Sequence, residues 1–355
     1  MTVHDPVLAA ASRATAAIPD DGAMLRAAAD LTRALSTANP AIYWPDMLGS
    51  AIIGWGALGV AIMAEGAALA LAAGLVAMLA LYRAASFIHE LTHIRKGALP
   101  GFRFAWNVAV GIPLMIPSFM YEGVHTQHHA RTRYGTADDP EYLPLALMKP
   151  WSLPLFILVA SLAPVGLILR FGILTPLSFV VPPLRRIVIE QLSALSINPA
   201  YRRRAPEGEF ARMWLWQETG ASVVALMLVG SVFLFGLKPL LAYMAVHSAM
   251  TVINQLRTLV AHLWENEGEA MTVTAQYLDS VNVPPPALLA PLWAPVGLRY
   301  HALHHLLPSV PYHNLAPAHR QLIATLEAAS PYHRGNYAGM FPLVGKIARS
   351  TMSLR

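Results

Sequence analysis

Two pairs of uncharged runs, each pair joined by a two-residue break, constrain this chain more than any other feature. Met47 to Ala64 and Ala67 to Tyr82 carry no charge and are separated by Glu65-Gly66; Thr219 to Leu237 and Leu240 to Leu256 are separated by Lys238-Pro239. Runs of this length suit a bilayer, because a helix rises about 1.5 Å per residue across a hydrocarbon layer about 30 Å thick. Composition agrees: 55% of residues are hydrophobic and 13% charged, where soluble domains carry about 25% charged residues. The expectation is an all-α integral membrane protein with four transmembrane helices in two hairpins, near residues 47–64, 67–88, 219–237 and 240–262. A helical cap on the cytosolic side would comprise residues 89–218 and 263–345, with a cytosolic N-terminal segment at 1–46 and a tail at 346–355.

Proline breaks the remaining apolar stretches. Phe104 to Tyr121 holds Pro113 and Pro117, Leu153 to Leu184 holds five prolines, and Leu288 to Leu298 follows Pro284-Pro285-Pro286. These read as interfacial or re-entrant helices, with Tyr43, Trp44, Trp55, Trp106, Trp151 and Trp293 as interfacial anchors. The charges from Asp5 to Arg33 interrupt any signal-peptide core, and Asp21 is placed to cap an amphipathic helix ending near Leu35. Arg95, Lys96, Arg103, Arg185, Arg186 and Arg202 to Arg204 all fall on the cap side. By the positive-inside rule the cap and both termini are cytoplasmic, in a cell inner membrane.

Chemistry is concentrated in histidine. The chain has 14 histidines and no cysteine, which excludes disulfides, thiolate zinc sites, cysteine-ligated iron–sulfur clusters and a fused rubredoxin-like module. His89-Glu90-Leu91-Thr92-His93 closes the second run, and its spacing sets both imidazoles on one helix face. His125-Thr126-Gln127-His128-His129 and His301-Ala302-Leu303-His304-His305 repeat a second spacing. His262 ends a polar stripe through His247, Thr251, Asn254 and Thr258, and such intramembrane polarity points to the bundle interior. An even number of spans separates these groups, so all can meet at one membrane face. Nine imidazoles exceed the shell of one ion and suit two, although softness alone leaves iron, copper and zinc open. His4, His313, His319 and His333 read as surface or structural residues.

The three boxes, their order, Asp139-Pro140-Glu141 after the second and Leu306-Leu307-Pro308 after the third resemble the membrane fatty acid desaturase family, over about Ile88 to Leu315 with the flanking hairpins. That resemblance implies two non-haem iron ions ligated by His89, His93, His125, His128, His129, His262, His301, His304 and His305. It also implies dioxygen as co-substrate and introduction of a double bond into a lipid-linked or thioester fatty acyl chain. Relatives with similar boxes include hydroxylases and ketolases of fatty acyl, sphingolipid or carotenoid chains, and the histidines do not separate these reactions. The chain departs from its relatives in carrying Asn254 two turns before His262, with Thr258 one turn before, and in having Glu90 where aspartate is common.

Carboxylates at Glu90, Asp138, Asp139, Glu141 and Glu265 are candidates to orient the imidazoles. Electrons would come from a separate ferredoxin, rubredoxin or b-type cytochrome with its reductase. Arg131, Arg133 and Arg202 to Arg204 could steer an acidic carrier to the cap, although positive-inside topology explains the same charges. No feature calls for nucleic acid. The remote alternative is an intramembrane zinc metalloprotease using His89, Glu90 and His93, which leaves the other seven imidazoles idle. A transporter would hold its site near the midplane rather than at span ends.

Overall fold

The computed structural model describes residues 15–353; His4 lies outside them. Among the described residues the architecture is helical, with isolated bridges in place of strands. In chain order the elements that position the site are α1 (Gly22–Leu35), α2 (Pro40–Met63), α3 (Ala67–His93), α4 (Phe102–Trp106), α5 (His125–His128), α6 (Ser152–Ser161), α7 (Ala163–Ser178), α8 (Pro182–Gln191), α9 (Gly208–Phe235), α10 (Lys238–Leu259), α11 (Val273–Asp279), α12 (His301–Leu306), α13 (Tyr312–Thr325) and α14 (Met340–Ser353).

Asp21 caps α1 by accepting from the backbone N–H groups of Ala23 and Met24, and α1 buries Met24 and Ala28 against Leu303, Leu315 and Leu322 of the cap. The helix α2 begins ahead of its uncharged run, with Asn39 as cap and Pro40 in the first turn, where the missing N–H costs nothing. It can include Asp46 because Arg83 of α3 donates to that carboxylate from Nε at 2.7 Å. The pair α2 and α3 cross closely at Gly54, where a Cβ would lie 2.6 Å from Leu81 Cγ, the small-residue contact typical of helices in lipid.

By length and apolarity α2, α3 and α9 can each cross a membrane, and α6 with α7, bent by 52° at their junction, make a fourth if they form one span. The sequence expectation placed the fourth span at α10 instead. That helix is less apolar than the others because His247, Ser248, Thr251, Asn254, Gln255, Arg257 and Thr258 all fall on it. Its hydroxyls serve the neighbouring bend: Pro164 has no N–H to give the Ala160 carbonyl, and Thr251 Oγ1 donates to that oxygen at 2.7 Å while Ser248 Oγ donates to Ser161 O at 2.8 Å. Irregular backbone at membrane depth is thus satisfied by the adjacent helix.

The junction of α7, α8 and α9 encloses an ionic cluster. Glu218 of α9 is fully buried and accepts from Arg170 Nη2 at 2.8 Å and Arg185 Nη2 at 2.7 Å.

Several aromatic residues expected at the interface belong to the core. Tyr43 and Trp106 are 0% exposed and Trp293 is also buried. Trp106 Nε1 donates to Ala84 O and Trp55 Nε1 to Ala109 O, both at 2.8 Å. Each indole finds a carbonyl within the helix packing, which removes its reason to sit in the headgroup layer. Trp151 stays 53% exposed.

Candidate metal centre

The end of α3 brings His89 and His93 to the cap, α5 carries His125 and His128 with His129 as its last cap residue, and α12 carries His301, His304 and His305. His262 follows the end of α10 and is held by two segments. Leu263 N donates to Asp279 O at 2.7 Å and Val281 N to Ala261 O at 2.9 Å. The same stretch seats α12, since Ala302 N donates to Val281 O and Leu303 N to Asn282 Oδ1.

All nine histidines singled out by spacing meet there, in two groups. His89, His93, His125, His129 and His304 form one, His128, His262, His301 and His305 the other, and within each group one ring nitrogen per residue lies within 4.8 Å of the rest. His313, His319 and His333 take other partners: Asn39 N, Tyr332 Oη and Glu327 O. His247 is buried in α10 away from both groups, with neither nitrogen bonded.

Hydrogen bonds behind the rings decide which nitrogen faces inward. Tyr121 Oη donates to Glu141 Oε2 at 2.8 Å, so the proton between His125 Nδ1 and Glu141 Oε1, 2.9 Å apart, belongs to the imidazole. His128 Nδ1 lies 2.9 Å from Asp139 Oδ2, and that buried carboxylate also accepts from the backbone N–H of Gly135 and Glu141. Tyr134 Oη donates to Asp279 Oδ2, which leaves its lone pair for the Nδ1–H of His262 at 2.8 Å. In each case Nε2 is left as a lone-pair donor.

These inward nitrogens face one another. His125 and His129, His129 and His304, His262 and His301, and His301 and His305 have Nε2 pairs 2.9 to 3.2 Å apart. Both nitrogens of His89 and Nε2 of His93 are buried with no partner. Lone pairs crowded at that distance repel unless a cation lies among them, so the donor set fits two metal ions. Burial holds His125, His129, His262, His301, His304 and His305 well below the usual imidazole range, in the neutral form that ligates. Burial also opposes charge on His128, but Asp139 outweighs it and raises that pKa. Burial pushes Glu141 up to about 7 and Asp279 to about 6.

Of the five carboxylates considered from sequence, Asp139 and Glu141 hold imidazoles. Asp138 is exposed and Glu265 lies 3.8 Å from Lys346. Glu90 is tied to the protein: its Oε2 accepts from the Tyr43 hydroxyl and from Tyr312 N while Oε1 lies 3.8 Å from His89 Nδ1, and a carboxylate so engaged does not have the freedom a protease base requires. Sequence reasoning missed Tyr121, Tyr134 and Asp279. Asp279 had a signal, as the lone acid between Met271 and Leu298. A cavity of about 240 Å³, lined by Tyr43, Glu90, His93, Arg95 and Pro311 among others, reaches the five-histidine group from outside.

Replacing Asp139 with asparagine is expected to lower metal affinity or turnover by about 10- to 100-fold, the usual cost of losing a carboxylate behind a ligating histidine. Metal titration of the purified variant checks this; unchanged affinity and turnover would refute the orienting role.

A family model described as fatty acid desaturase matches residues 65–336. The chain is also 51% identical over 332 residues to a protein named ceramide hydroxylase from Caulobacter vibrioides (strain NA1000 / CB15N), covering 93% of this chain and 94% of that one. No solved structure matches. The histidine boxes that the fold gathers at one end of its apolar helices all fall inside the matched region, and the chain belongs to the fatty acid desaturase family.

Proposed function

We propose that this chain is a membrane-bound di-iron hydroxylase acting on a ceramide-class lipid. The observation that carries the reading is the 51% identity to a ceramide hydroxylase over nearly the whole of both chains. It shifts the expectation from forming a double bond to inserting oxygen, an outcome the histidines alone left open.

In this reading one iron is held by His89, His93, His125, His129 and His304, the other by His128, His262, His301 and His305. Iron so held supplies the reductive activation of dioxygen. Overall, one C–H bond of the lipid becomes C–O–H, the second oxygen atom leaves as water, and the balance takes two electrons from a separate carrier protein and two protons from solvent. The chain itself fixes the imidazole tautomers through Asp139, Glu141 and Tyr134 and excludes water by burying the rings. On the same reading four helices cross the inner membrane in two hairpins, α2 with α3 and α9 with the more polar α10, the bent pair of α6 and α7 being re-entrant rather than a span, with the termini and the metal face cytoplasmic. Arg202 and Arg204 are exposed to meet an acidic carrier. Arg203 is not, since it is buried and donates to Ser193 O and Glu122 O.

The test is mass spectrometry of lipids from a ceramide-producing host expressing the chain with a matched electron donor. A ceramide carrying one additional oxygen is expected. A product lacking two hydrogens would return the assignment to desaturase, and an unaltered ceramide pool would refute both.

A further inference from the structure

The helix α10 carries a charge that the proposed metal centre does not use. Arg257 precedes His262 by little more than one turn and lies on the same side of the helix as Asn254. Its Nη2 donates to Asn254 Oδ1 over a long 3.3 Å, and its Nε is buried with no partner. Arg257 itself is half-buried, and the two fully buried arginines among the described residues are satisfied. Arg170 is paired with Glu218, and Arg203 is bonded to two carbonyls. Half-buried Arg83 and Arg185 have carboxylates too, Asp46 and Glu218. For Arg257 no such ion pair occurs among the described residues.

Its position explains why this matters. The guanidinium lies beside the Tyr82 hydroxyl of α3. The guanidinium is also near enough to His262, His301 and Glu141 to act on them electrostatically. Arg257 precedes His262 on the helix that leads to it from the apolar bundle, and so stands on the bundle side of the histidine groups. A guanidinium there with the Tyr82 and Asn254 oxygens but no carboxylate is costly, and its planar fork of N–H donors has room for a further oxygen acceptor. The methylenes of a tail offer none, whereas the amide that joins an acyl chain to its lipid base offers a carbonyl.

We propose that Arg257, held by Asn254, is a positioning residue that donates to the amide carbonyl oxygen of the lipid substrate, so that the carbon presented to the metal centre lies close to that carbonyl. This rests on the hydroxylase reading above and adds to it a choice of carbon. A mid-chain target would leave the carbonyl far from the site and the guanidinium without a further acceptor.

The experiment uses the full-length, iron-loaded protein in lipid nanodiscs, with a saturated ceramide, dioxygen and a reduced carrier, and locates the new hydroxyl by fragmentation. The wild type is expected to place it on the fragment that retains the amide. Arg257→Leu should keep its iron, raise KM by about 10- to 100-fold, the worth of a hydrogen bond to a charged group, and scatter the hydroxyl along the tail. Arg257→Lys should restore part of the positional fidelity. Wild-type KM and position in an iron-replete Arg257→Leu would overturn the proposal. Should that variant fail to fold, Asn254→Ala decides: unchanged KM and position overturn the proposal, and a shift in either supports it. A wild-type hydroxyl in mid-chain would overturn the anchor while leaving the hydroxylase reading intact. No oxygen gained on ceramide would overturn that reading, and the anchor with it.

Discussion

His304→Ala is expected to abolish lipid oxidation and to lower the iron bound per chain, whereas His333→Ala should change neither. His304 is buried, and its Nε2 faces His129 Nε2 at 3.1 Å within the five-histidine group. Removing it opens one position in that group and takes away one of the two Nε2 neighbours of His129. Loss of a ligand should exceed the 10- to 100-fold effect seen for residues behind ligands, so turnover should fall by more than about 100-fold. Elemental analysis of the purified proteins and turnover with a reduced donor check both parts. Full iron and full turnover in His304→Ala would sink the assignment of the five-histidine group.

Glu218→Leu should be the most destabilising single change away from the histidines. It strands Arg170, whose side chain is 5% exposed, and removes the partner of Arg185 as well. Breaking a buried ion pair from one side costs about 3–5 kcal/mol, because a charge remains in a poorly solvating environment. Arg170 retains Thr175 Oγ1, Ser193 Oγ and the Leu192 carbonyl as partners, which places the loss toward the lower end. Thermal unfolding in detergent should show a clear drop in midpoint. The double variant Arg170→Met/Glu218→Leu should recover much of it, since neither side then buries an unpaired charge. A double variant as unstable as the single one would show that packing, not charge, holds this junction.

The histidine boxes were legible because metal ligation imposes short spacings that chain periodicity turns directly into geometry. Their partners were less so. Asp139 and Glu141 lie close behind the second box, but Tyr134 reaches His262 and Asp279 across about 130 and 145 residues, a meeting only the folded chain creates. The start of α2 was misplaced for a related reason. Charge marked Asp46 as the end of its run, yet Arg83 of α3 neutralises it from the neighbouring helix, so α2 extends past it to Pro40. Composition also overrated α10, whose polar residues are spent on the bend at Pro164 and beneath the histidines.

That polar face of α10 bears on how the protein is made. A helix presenting His247 and Asn254 along its length and Arg257 in its last turn carries a partition penalty, so as a solitary segment it would tend to slip through the translocation channel rather than settle in lipid. It follows α9 after a break of only Gly236 and Leu237, and that short link lets the more apolar helix carry it in. If α9 and α10 form the second hairpin proposed above, its membrane integration is a cooperative event, in which the more polar segment depends on its neighbour for its place in the bilayer.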